Sequence, residues 1–289
     1  MSSLIGALRP LHWSKNALLV VPLLLAHRLD DRLRLLDTAI AVALFCVAAS
    51  GTYLLNDVHD AESDRAHPLK RRRFVANGDL TMRTALFTGL ALILAAFLGA
   101  YVAVRALLPW LALYVSLSFA YSWFAKQRVF LDVLALASLY AIRVLAGGAV
   151  ARIEVSNWLL ALSVFFFLAL ALMKRYADLG LLLSAGHEDV AGRGYVTGDR
   201  DLLRSMGVAS GMTAVLVLAL YVNGEQVTRL YSHPAMLWLV CGLLLYWTAH
   251  MWFLAHRGAI LDDPIVIAVR DPTSYVVALL VIVIAWSAL

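Results

Sequence analysis

Three of the four acidic residues in the stretch NDVHDAESD, which runs from Asn56 to Asp64, recur at helical spacing. Asp57, Asp60 and Asp64 are three and then four residues apart, so a helix places them on one face, with Asn56 beside the first. Like charges this close repel each other, and the end of an apolar segment makes them costlier still. A hard divalent cation relieves that repulsion, and Mg²⁺ is usually held by one or two carboxylates together with substrate phosphates. The spacing therefore predicts a Mg²⁺ site formed by Asn56, Asp57, Asp60 and Asp64.

Four consecutive cations, Lys70 to Arg73, lie shortly after these acids. Arg binds phosphate oxygens in bidentate fashion, and Lys binds them as a compact charge. Acids that hold a metal beside bases that hold phosphate indicate a substrate that carries a diphosphate. We predict Lys70, Arg71 and Arg72 as substrate-binding residues. Taken alone, the basic run fits a solvated loop that obeys the positive-inside rule equally well.

The elements that must position these residues are membrane-spanning helices. The 289-residue chain is 62% hydrophobic and only 15% charged, with a mean hydropathy of +0.81, whereas a soluble domain is about 25% charged. Apolar runs approaching the ~20 residues that cross a bilayer recur along the chain, without the period-two alternation of a barrel. We predict an all-α, polytopic membrane protein. Its nine predicted spans cover residues 16–28, 36–56, 83–103, 107–125, 130–150, 157–178, 202–222, 234–255 and 273–288.

The distribution of Lys and Arg sets the predicted orientation. With a cytoplasmic N-terminus, 17 of the 24 Lys and Arg residues lie on the cytoplasmic side and six on the opposite side. We therefore predict a multi-pass protein of the inner (plasma) membrane whose two longest polar stretches, 57–82 and 179–201, are cytoplasmic. No linker divides the chain, so residues 1–289 are predicted to form one domain. Anionic lipid headgroups account for the net charge of +5, which requires no nucleic-acid partner.

Four stretches of the sequence resemble a known family. NDVHDAESD matches the NDxxDxxxD signature of the UbiA-type intramembrane prenyltransferase superfamily, whose nine helices surround a cavity that opens to the cytoplasm. Within that superfamily the chain most resembles the decaprenyl-phosphate phosphoribosyltransferase branch. Arg9 to Asn16, RPLHWSKN, is similar to the branch pattern RPxxWxKN, and Asp64 to Arg73, DRAHPLKRRR, is similar to DxxHPxKR. Met173 to Leu179, MKRYADL, is similar to KRYxEL, with Asp178 where Glu is commoner.

The resemblance implies a reaction and further site residues. The implied reaction is the Mg²⁺-dependent transfer of 5-phosphoribose from phosphoribosyl diphosphate (PRPP) to a polyprenyl phosphate, with release of diphosphate. Asp57, Asp60 and Asp64 are then the catalytic residues, and Lys15 binds substrate. Many superfamily members carry a second DxxxD cluster after the sixth span, where this chain has KRYAD. A second metal held by protein is therefore in doubt, and the implied substrate-binding residues there are Lys174, Arg175, Tyr176 and Asp178.

Three further polar residues are predicted to bind substrate, although each has an alternative role. Tyr121 and Lys126 end the fourth span, where interfacial anchoring competes with phosphate binding. Arg143 lies near the middle of the fifth span, where a charge costs at least ~2.5 kcal/mol, so it should face a partner inside the bundle. That partner is either a buried carboxylate or a substrate phosphate. Similarly, Lys174 and Asp178 are spaced to form a helical ion pair.

Two other functions are compatible with the same acidic motif and membrane-embedded charges. A UbiA-type aromatic prenyltransferase joins a polyprenyl diphosphate to an aromatic ring with the same metal–diphosphate chemistry, so the isoprenoid is donor and not acceptor. A transporter of lipid phosphates would carry intramembrane charges without catalysing a reaction. The spaced carboxylates favour metal-dependent catalysis over transport. The sequence leaves the oligomeric state open, including a homo-oligomer.

Overall fold

The computed structural model describes residues 2–66, 70–184, 194–224, 227 and 230–289, without the side chains of Ser2, Ala66 and Lys70. This part of the chain is helical and contains no β-strand, which confirms the all-α prediction. The α-helices are α1 (Ser2–Ala7), α2 (Val21–Leu25), α3 (Arg32–His59), α4 (Ala61–Ala66), α5 (Met82–Ala103), α6 (Leu108–Trp123), α7 (Leu131–Ala151), α8 (Asn157–Ser184), α9 (Arg200–Val222), α10 (Leu237–His256), α11 (Pro264–Ala268) and α12 (Pro272–Ser287). Short 3₁₀ segments cover Pro10–Val20, Lys70–Arg72, Arg105–Leu107, Ala125–Gln127, Thr197–Asp199 and Pro234–Met236.

Seven helices of the described chain are long and apolar enough to cross a membrane, as judged by length and composition, and each coincides with a predicted span. They are Arg32–His59, Met82–Ala103, Arg105–Trp123, Leu131–Ala151, Asn157–Ser184, Thr197–Val222 and Pro234–His256. The last predicted span, 273–288, is the shorter apolar helix α12.

The first predicted span, 16–28, does not form one spanning α-helix. Residues Pro10–Val20 form a 3₁₀ segment, and the five-residue α2 follows it. Pro10 and Pro22 each occupy the first turn of one of these two segments. Proline lacks the amide hydrogen that a continuous α-helix requires and is tolerated only in a first turn, so Pro22 separates the two segments.

One compact unit comprises the described residues of 2–135, 139–155 and Gly194, and contains α1 to α6 and all of α7 except residues 136–138. Within it α3 and α5 pack closely, because a Cβ atom on Gly51 would lie only 2.7 Å from the carbonyl oxygen of Gly89. A buried cluster joins α1 and α4 to the end of α3 and the beginning of α5. Its members are Ala7, Leu54, Ala61, Val75, Leu80 and Ala85. This cluster fixes the N-terminal segment against the stretch that carries the acidic motif.

A second compact unit comprises residues 136–138, 156–190 and 195–289 and contains α8 to α12. In this unit α8 and α9 pack side by side, and the Ser210 hydroxyl donates to the carbonyl oxygen of Phe165 at 3.1 Å. The side chain of Asp263 caps α11, and that of Asp271 caps α12. The organisation of residues 1–289 as one domain stays a prediction.

Candidate active site

The acidic motif lies where α3 ends and α4 begins. Asp57 is in the last turn of α3, Asp60 is its C-cap, and Asp64 lies in α4. The amide of Asp60 donates to the Asn56 carbonyl at 2.9 Å, and the amide of Asp64 donates to the Asp60 carbonyl at 2.8 Å. These two bonds have the α-helical i→i−4 pattern and meet at Asp60, where α3 ends and α4 begins. The three acids are therefore carried by two consecutive helices.

Two of the three carboxylates are buried against arginines. Asp57 is 3% exposed and Asp64 is 2% exposed. Arg73 Nη1 lies 3.3 Å from Asp57 Oδ1 and 2.7 Å from Asp64 Oδ2. Arg9 Nη2 lies 2.5 Å from Asp57 Oδ1. Because one guanidinium nitrogen contacts both carboxylates, Asp57 and Asp64 lie within reach of a single cation.

Arg9 was not among the predicted site residues, although the quoted stretch RPLHWSKN begins with it. Its backbone is left-handed, with φ 52° and ψ 61°, immediately before the first 3₁₀ segment. Non-glycine residues adopt this region rarely, and such conformations persist where their surroundings hold them. The guanidinium also lies over the ring of Tyr53, 5.2 Å from its centroid. The N-terminal segment therefore brings a cation to Asp57 from 48 residues away in sequence.

Asp60 pairs with a cation from a different part of the same unit. Its Oδ1 atom accepts a hydrogen bond from Lys126 Nζ. Lys126 lies in the 3₁₀ segment Ala125–Gln127, which directly follows α6. Of the two roles considered for Lys126, this contact favours membership of the site. Tyr121 is half-buried near the end of α6.

The residues of the basic run, Lys70 to Arg73, differ in their contacts. Arg73 bridges two acids, whereas Arg71 and Arg72 are exposed and contact none of the three motif carboxylates in the described part of the chain. Lys70 begins the 3₁₀ segment Lys70–Arg72, and its side chain lies outside the described atoms. Residues 67–69 of the DRAHPLKRRR stretch are outside the described residues as well.

Arg143 is buried in α7 and donates to neutral acceptors. The side chain is 3% exposed. Its Nε atom donates to Asn16 Oδ1 at 2.8 Å, Nη2 donates to the Tyr114 hydroxyl at 3.3 Å, and Nη1 donates to the Leu139 carbonyl. These acceptors belong to the first 3₁₀ segment, to α6 and to α7, so Arg143 ties three elements of one unit together. The buried carboxylate considered as its partner is not among these contacts.

Aromatic rings complete the surroundings of Arg143. Its Cζ atom lies 4.8 Å from the ring centroid of Tyr114, 5.8 Å from that of Tyr140 and 6.0 Å from that of Phe45. Lys15, itself 8% exposed, places Nζ 5.6 Å from the centroid of Tyr140. Cations over ring faces are stabilised by the ring quadrupole, especially where water is excluded. Two predicted substrate-binding residues, Lys15 and Arg143, therefore contact the same tyrosine ring.

In the second unit, the KRYAD segment lies in α8 and forms ion pairs. Arg175 is 1% exposed, and its Nη1 atom lies 2.8 Å from Asp178 Oδ2. Lys174 Nζ lies 3.7 Å from Asp263 Oδ2, the carboxylate that also caps α11. The cations that stand where many superfamily members carry acids are thus held by carboxylates of their own unit.

Tyr176 is buried between α8 and α10. It is 1% exposed, and its hydroxyl oxygen lies 3.2 Å from His256 Nδ1. Its ring meets the ring of Trp252 edge to face, with 5.7 Å between centroids. These contacts fix the orientation of the ring within the unit.

A model of the UbiA prenyltransferase family matches residues 17–287, nearly the whole chain. The protein belongs to the UbiA prenyltransferase family. This result confirms the superfamily that the NDxxDxxxD stretch predicted.

This UbiA-family protein is similar to several relatives, and the share of each relative's length that it covers differs. It is 36% identical to the nodulation protein NoeC of Azorhizobium caulinodans over 93% of this chain and 88% of that protein. It is 34% identical to the uncharacterized protein y4nM of Sinorhizobium fredii over 96% of this chain, but spans only 54% of that relative's length. It is 37% identical to the decaprenyl-phosphate phosphoribosyltransferase of Corynebacterium glutamicum over 61% of this chain and 54% of that protein.

Solved UbiA structures share the fold of this family member. A UbiA homologue from Archaeoglobus fulgidus bound to GPP and Mg²⁺ superposes with a TM-score of 0.74, covering 99% of both chains at 14% identity. The same homologue bound to Cd²⁺ superposes with a TM-score of 0.68, again at 14% identity. At this level of identity the comparison establishes the fold alone.

The acidic motif of this UbiA-family protein fits a hard cation by its donor chemistry. Among the described residues, no three His, Cys, Asp or Glu side chains lie close enough together to hold a metal ion by themselves. Mg²⁺ requires no such cage, since one or two carboxylates and substrate phosphates suffice. Asp57 and Asp64, which contact the same Arg73 nitrogen, provide two carboxylates within reach of one ion.

Proposed function

We propose that this UbiA-family protein transfers 5-phosphoribose from PRPP to a polyprenyl phosphate and releases diphosphate. One observation carries the proposal: each carboxylate of the motif lies against a cation, so acids and bases alternate at one place in the first unit. A substrate that bears phosphate groups matches both kinds of group. The partial similarity to decaprenyl-phosphate phosphoribosyltransferases supports PRPP as the donor.

The motif residues have defined roles in this proposal. Asp57 and Asp64, which contact the same Arg73 nitrogen, would hold Mg²⁺ together with the donor's diphosphate, and Asn56 and Asp60 remain predicted ligands of the same ion. When bound, the metal neutralises the charge that develops on the leaving diphosphate. Arg9, Arg73 and Lys126 are already within contact distance of these carboxylates, so their N–H groups also reach phosphate oxygens held there. Preorganised donors of this kind stabilise charge that grows in the transition state.

The bond changes need no general base. An oxygen of the acceptor phosphate attacks C1 of the ribose, and the bond from C1 to the diphosphate oxygen breaks, with its electron pair leaving on the diphosphate. The phosphate is anionic at neutral pH, so no proton has to be removed before it attacks. Attack opposite the leaving group inverts the configuration at C1. The acceptor's hydrocarbon tail explains why this sugar-phosphate chemistry takes place in a membrane protein.

The remaining predicted residues are assigned to the substrates and not to the metal. Lys15 and Arg143 are buried cations of the first unit, and in the second unit Arg175 is buried and Lys174 is half-buried. The other proposed substrate-binding residues are Lys70, Arg71, Arg72, Tyr121, Tyr176 and Asp178.

The test is a transfer assay on the purified full chain in detergent or liposomes. PRPP labelled in the ribose ring is incubated with a polyprenyl phosphate and Mg²⁺, and label extracted into organic solvent is counted. We expect label in the lipid, dependent on Mg²⁺. A parallel reaction contains a polyprenyl diphosphate and 4-hydroxybenzoate. Prenylated aromatic product together with unlabelled lipid in the first reaction would replace the proposal with an aromatic prenyltransferase.

Asp60→Asn is the informative variant in this assay, with Glu62→Gln as its matched control. Both remove one negative charge from the NDVHDAESD stretch, but Asp60 contacts Lys126 whereas Glu62 is exposed in α4. We expect Asp60→Asn to lower the transfer rate at least about 100-fold, a loss typical of removing one electrostatic group. Glu62→Gln should keep the wild-type rate within about twofold, since solvent screens an exposed charge. Equal rates for the two variants would contradict the assigned metal site.

A further inference from the structure

Arg200, the first residue of α9, contacts two neutral groups of α8 in the second unit. Its Cζ atom lies 4.1 Å from the ring centroid of Tyr176. The guanidinium also lies against α8 at Gly180, one turn after Tyr176. A Cβ atom on Gly180 would lie 3.1 Å from Arg200 Nη2, 3.2 Å from Nε and 3.4 Å from Cζ. The guanidinium is therefore oriented by the tyrosine ring and by the absence of a side chain at residue 180.

Gly180 has this position although glycine is a poor helix former. It lies inside α8, four residues before the helix ends at Ser184. Alanine would favour the helix more, since glycine loses more conformational freedom on folding. The guanidinium occupies the space that an alanine methyl group would need. Glycine at position 180 thus leaves space for the Arg200 guanidinium, although alanine would have the higher helix propensity.

The charge of Arg200 is not matched by a carboxylate in the described residues. Nε forms no hydrogen bond there, and the acids on either side of Arg200 are engaged elsewhere. Asp199 accepts a hydrogen bond from the amide of Val196 at 3.0 Å, and Asp201 pairs with Arg204 at 3.3 Å. Arg200 is half-buried, so part of its side chain remains open to a ligand. A planar guanidinium fixed in this way presents paired donors to an anion.

We propose that Arg200 binds a phosphate monoester directly, without a metal. This inference rests on the proposed function, in which both substrates carry such a group: the 5-phosphate of the sugar donor and the phosphate of the lipid acceptor. The guanidinium of Arg200 itself supplies the positive charge and the N–H donors for a phosphate, so the contact proposed here is direct. Arg200 is a substrate-binding residue that the sequence motifs did not include.

The experiment measures binding to the purified full chain by titration calorimetry, with three probes. Ribose 5-phosphate represents the sugar source of the monoester, geranyl phosphate represents the lipid source, and inorganic diphosphate with Mg²⁺ is the reference. In Arg200→Gln we expect one of the two monoesters to bind at least about tenfold more weakly, the loss of one charge-assisted bidentate contact. Diphosphate should bind as in the wild type. The affected monoester identifies the source.

Two further variants separate binding from structure. Gly180→Ala displaces the guanidinium yet favours the helix, so it should weaken the same monoester severalfold without lowering the melting temperature. Arg204→Gln removes the same charge one turn further along α9, where the side chain pairs with Asp201, and should leave all three affinities unchanged.

Unchanged monoester binding in Arg200→Gln, or no monoester binding to the wild type, would overturn the inference. Equal losses of monoester affinity in Arg200→Gln and Arg204→Gln would also overturn it. If the wild type fails to transfer labelled ribose but Arg200→Gln still loses a monoester, the proposed function falls and this site remains.

Discussion

Asp57 and Asp64 are buried at the junction of α3 and α4, and a buried carboxylate keeps its charge only with a partner. Arg73 supplies that partner to both of them, and Arg9 adds a second cation to Asp57. The network is held together within one unit by residues far apart in sequence. One guanidinium thus contacts both buried carboxylates, whereas Arg71 and Arg72 are exposed.

Replacing Arg73 by alanine should be much more harmful than replacing Arg71, two residues earlier. Arg73→Ala removes a cation that lies 2.7 Å from Asp64 and 3.3 Å from Asp57, so we expect a loss of about 1–3 kcal/mol in the free energy of unfolding. Arg71 is exposed, and Arg71→Ala should change that free energy by less than about 0.5 kcal/mol. Thermal unfolding of both variants in the same detergent measures the difference. Equal melting temperatures would show that the contacts of Arg73 with Asp57 and Asp64 contribute nothing to stability.

The spacing of the three acids was predictable because it depends only on neighbouring residues in a helix. The contact of Arg9 with Asp57 was not predictable from the chain, since 48 residues separate the two and the packing of α1 decides their approach. Arg200 was missed for the same reason. Its partners Tyr176 and Gly180 lie on another helix.

Among the helices, α3 and α5 depend on small residues where they meet. In Gly51→Ala the new methyl carbon would lie 2.7 Å from the backbone oxygen of Gly89 and 2.8 Å from Ile93 Cγ1, so the helices must separate. We expect Gly51→Ala to lower the free energy of unfolding by about 1–3 kcal/mol.

Gly242→Ala in α10 is the matched control, because a Cβ atom on Gly242 would meet nothing within 4 Å. It should be neutral or stabilise the helix by up to about 1 kcal/mol. Unfolding measured in detergent distinguishes the two, and similar values would contradict the close α3–α5 packing.

The N-terminus of α12 is stabilised by a charged cap, Asp271. Burial alone raises the pKa of this carboxyl group. Hydrogen bonds from the hydroxyl and amide of Ser274 and from His250 outweigh burial, so the pKa lies below its usual 3.8. A lowered pKa in the folded state means that the unfolded chain takes up the proton first. The charged Asp271 side chain therefore stabilises the folded state at neutral pH, and this contribution is lost as the pH falls below about 4.

Asp271→Asn tests this cap, since asparagine also caps helices but does not titrate. We expect a small loss of stability at pH 7 and a shallower decline between pH 5 and pH 3 than in the wild type. Melting temperatures across that range give the comparison. Parallel curves for the two proteins would mean that Asp271 does not contribute to the acid sensitivity.

For the whole molecule, the apolar spans were largely predictable, because the length of an apolar run is a local property of the sequence. Seven predicted spans coincide with helices of spanning length, and the last is the shorter α12. The first, 16–28, contains Pro22, which signals a break, whereas the packing of Leu19 where a Cβ atom on Gly147 of α7 would clash could not be predicted. Tertiary packing and proline chemistry decide such a segment together.

The orientation of the chain in the membrane stays a prediction of the positive-inside rule and can be tested directly. Asp79 is exposed in the predicted cytoplasmic stretch, and Arg105 is exposed at the predicted opposite side. In intact spheroplasts, a membrane-impermeant maleimide should label Arg105→Cys but not Asp79→Cys. Disruption of the membrane should make Asp79→Cys reactive as well. The unchanged chain, with Cys46 and Cys241 in its helices, provides the background. The reverse pattern would invert the predicted topology.

The partners of Arg143 have a consequence for how the protein is made. Its hydrogen-bond acceptors and the rings beneath it belong to Asn16, Phe45, Tyr114, Leu139 and Tyr140. Every one of them precedes Arg143 in the sequence. Since a ribosome synthesises the chain from its N-terminus, all of these groups exist before the arginine leaves the exit tunnel. Three of them, Asn16, Phe45 and Tyr114, belong to segments translated before α7, so the arginine does not depend on helices that are still to be translated.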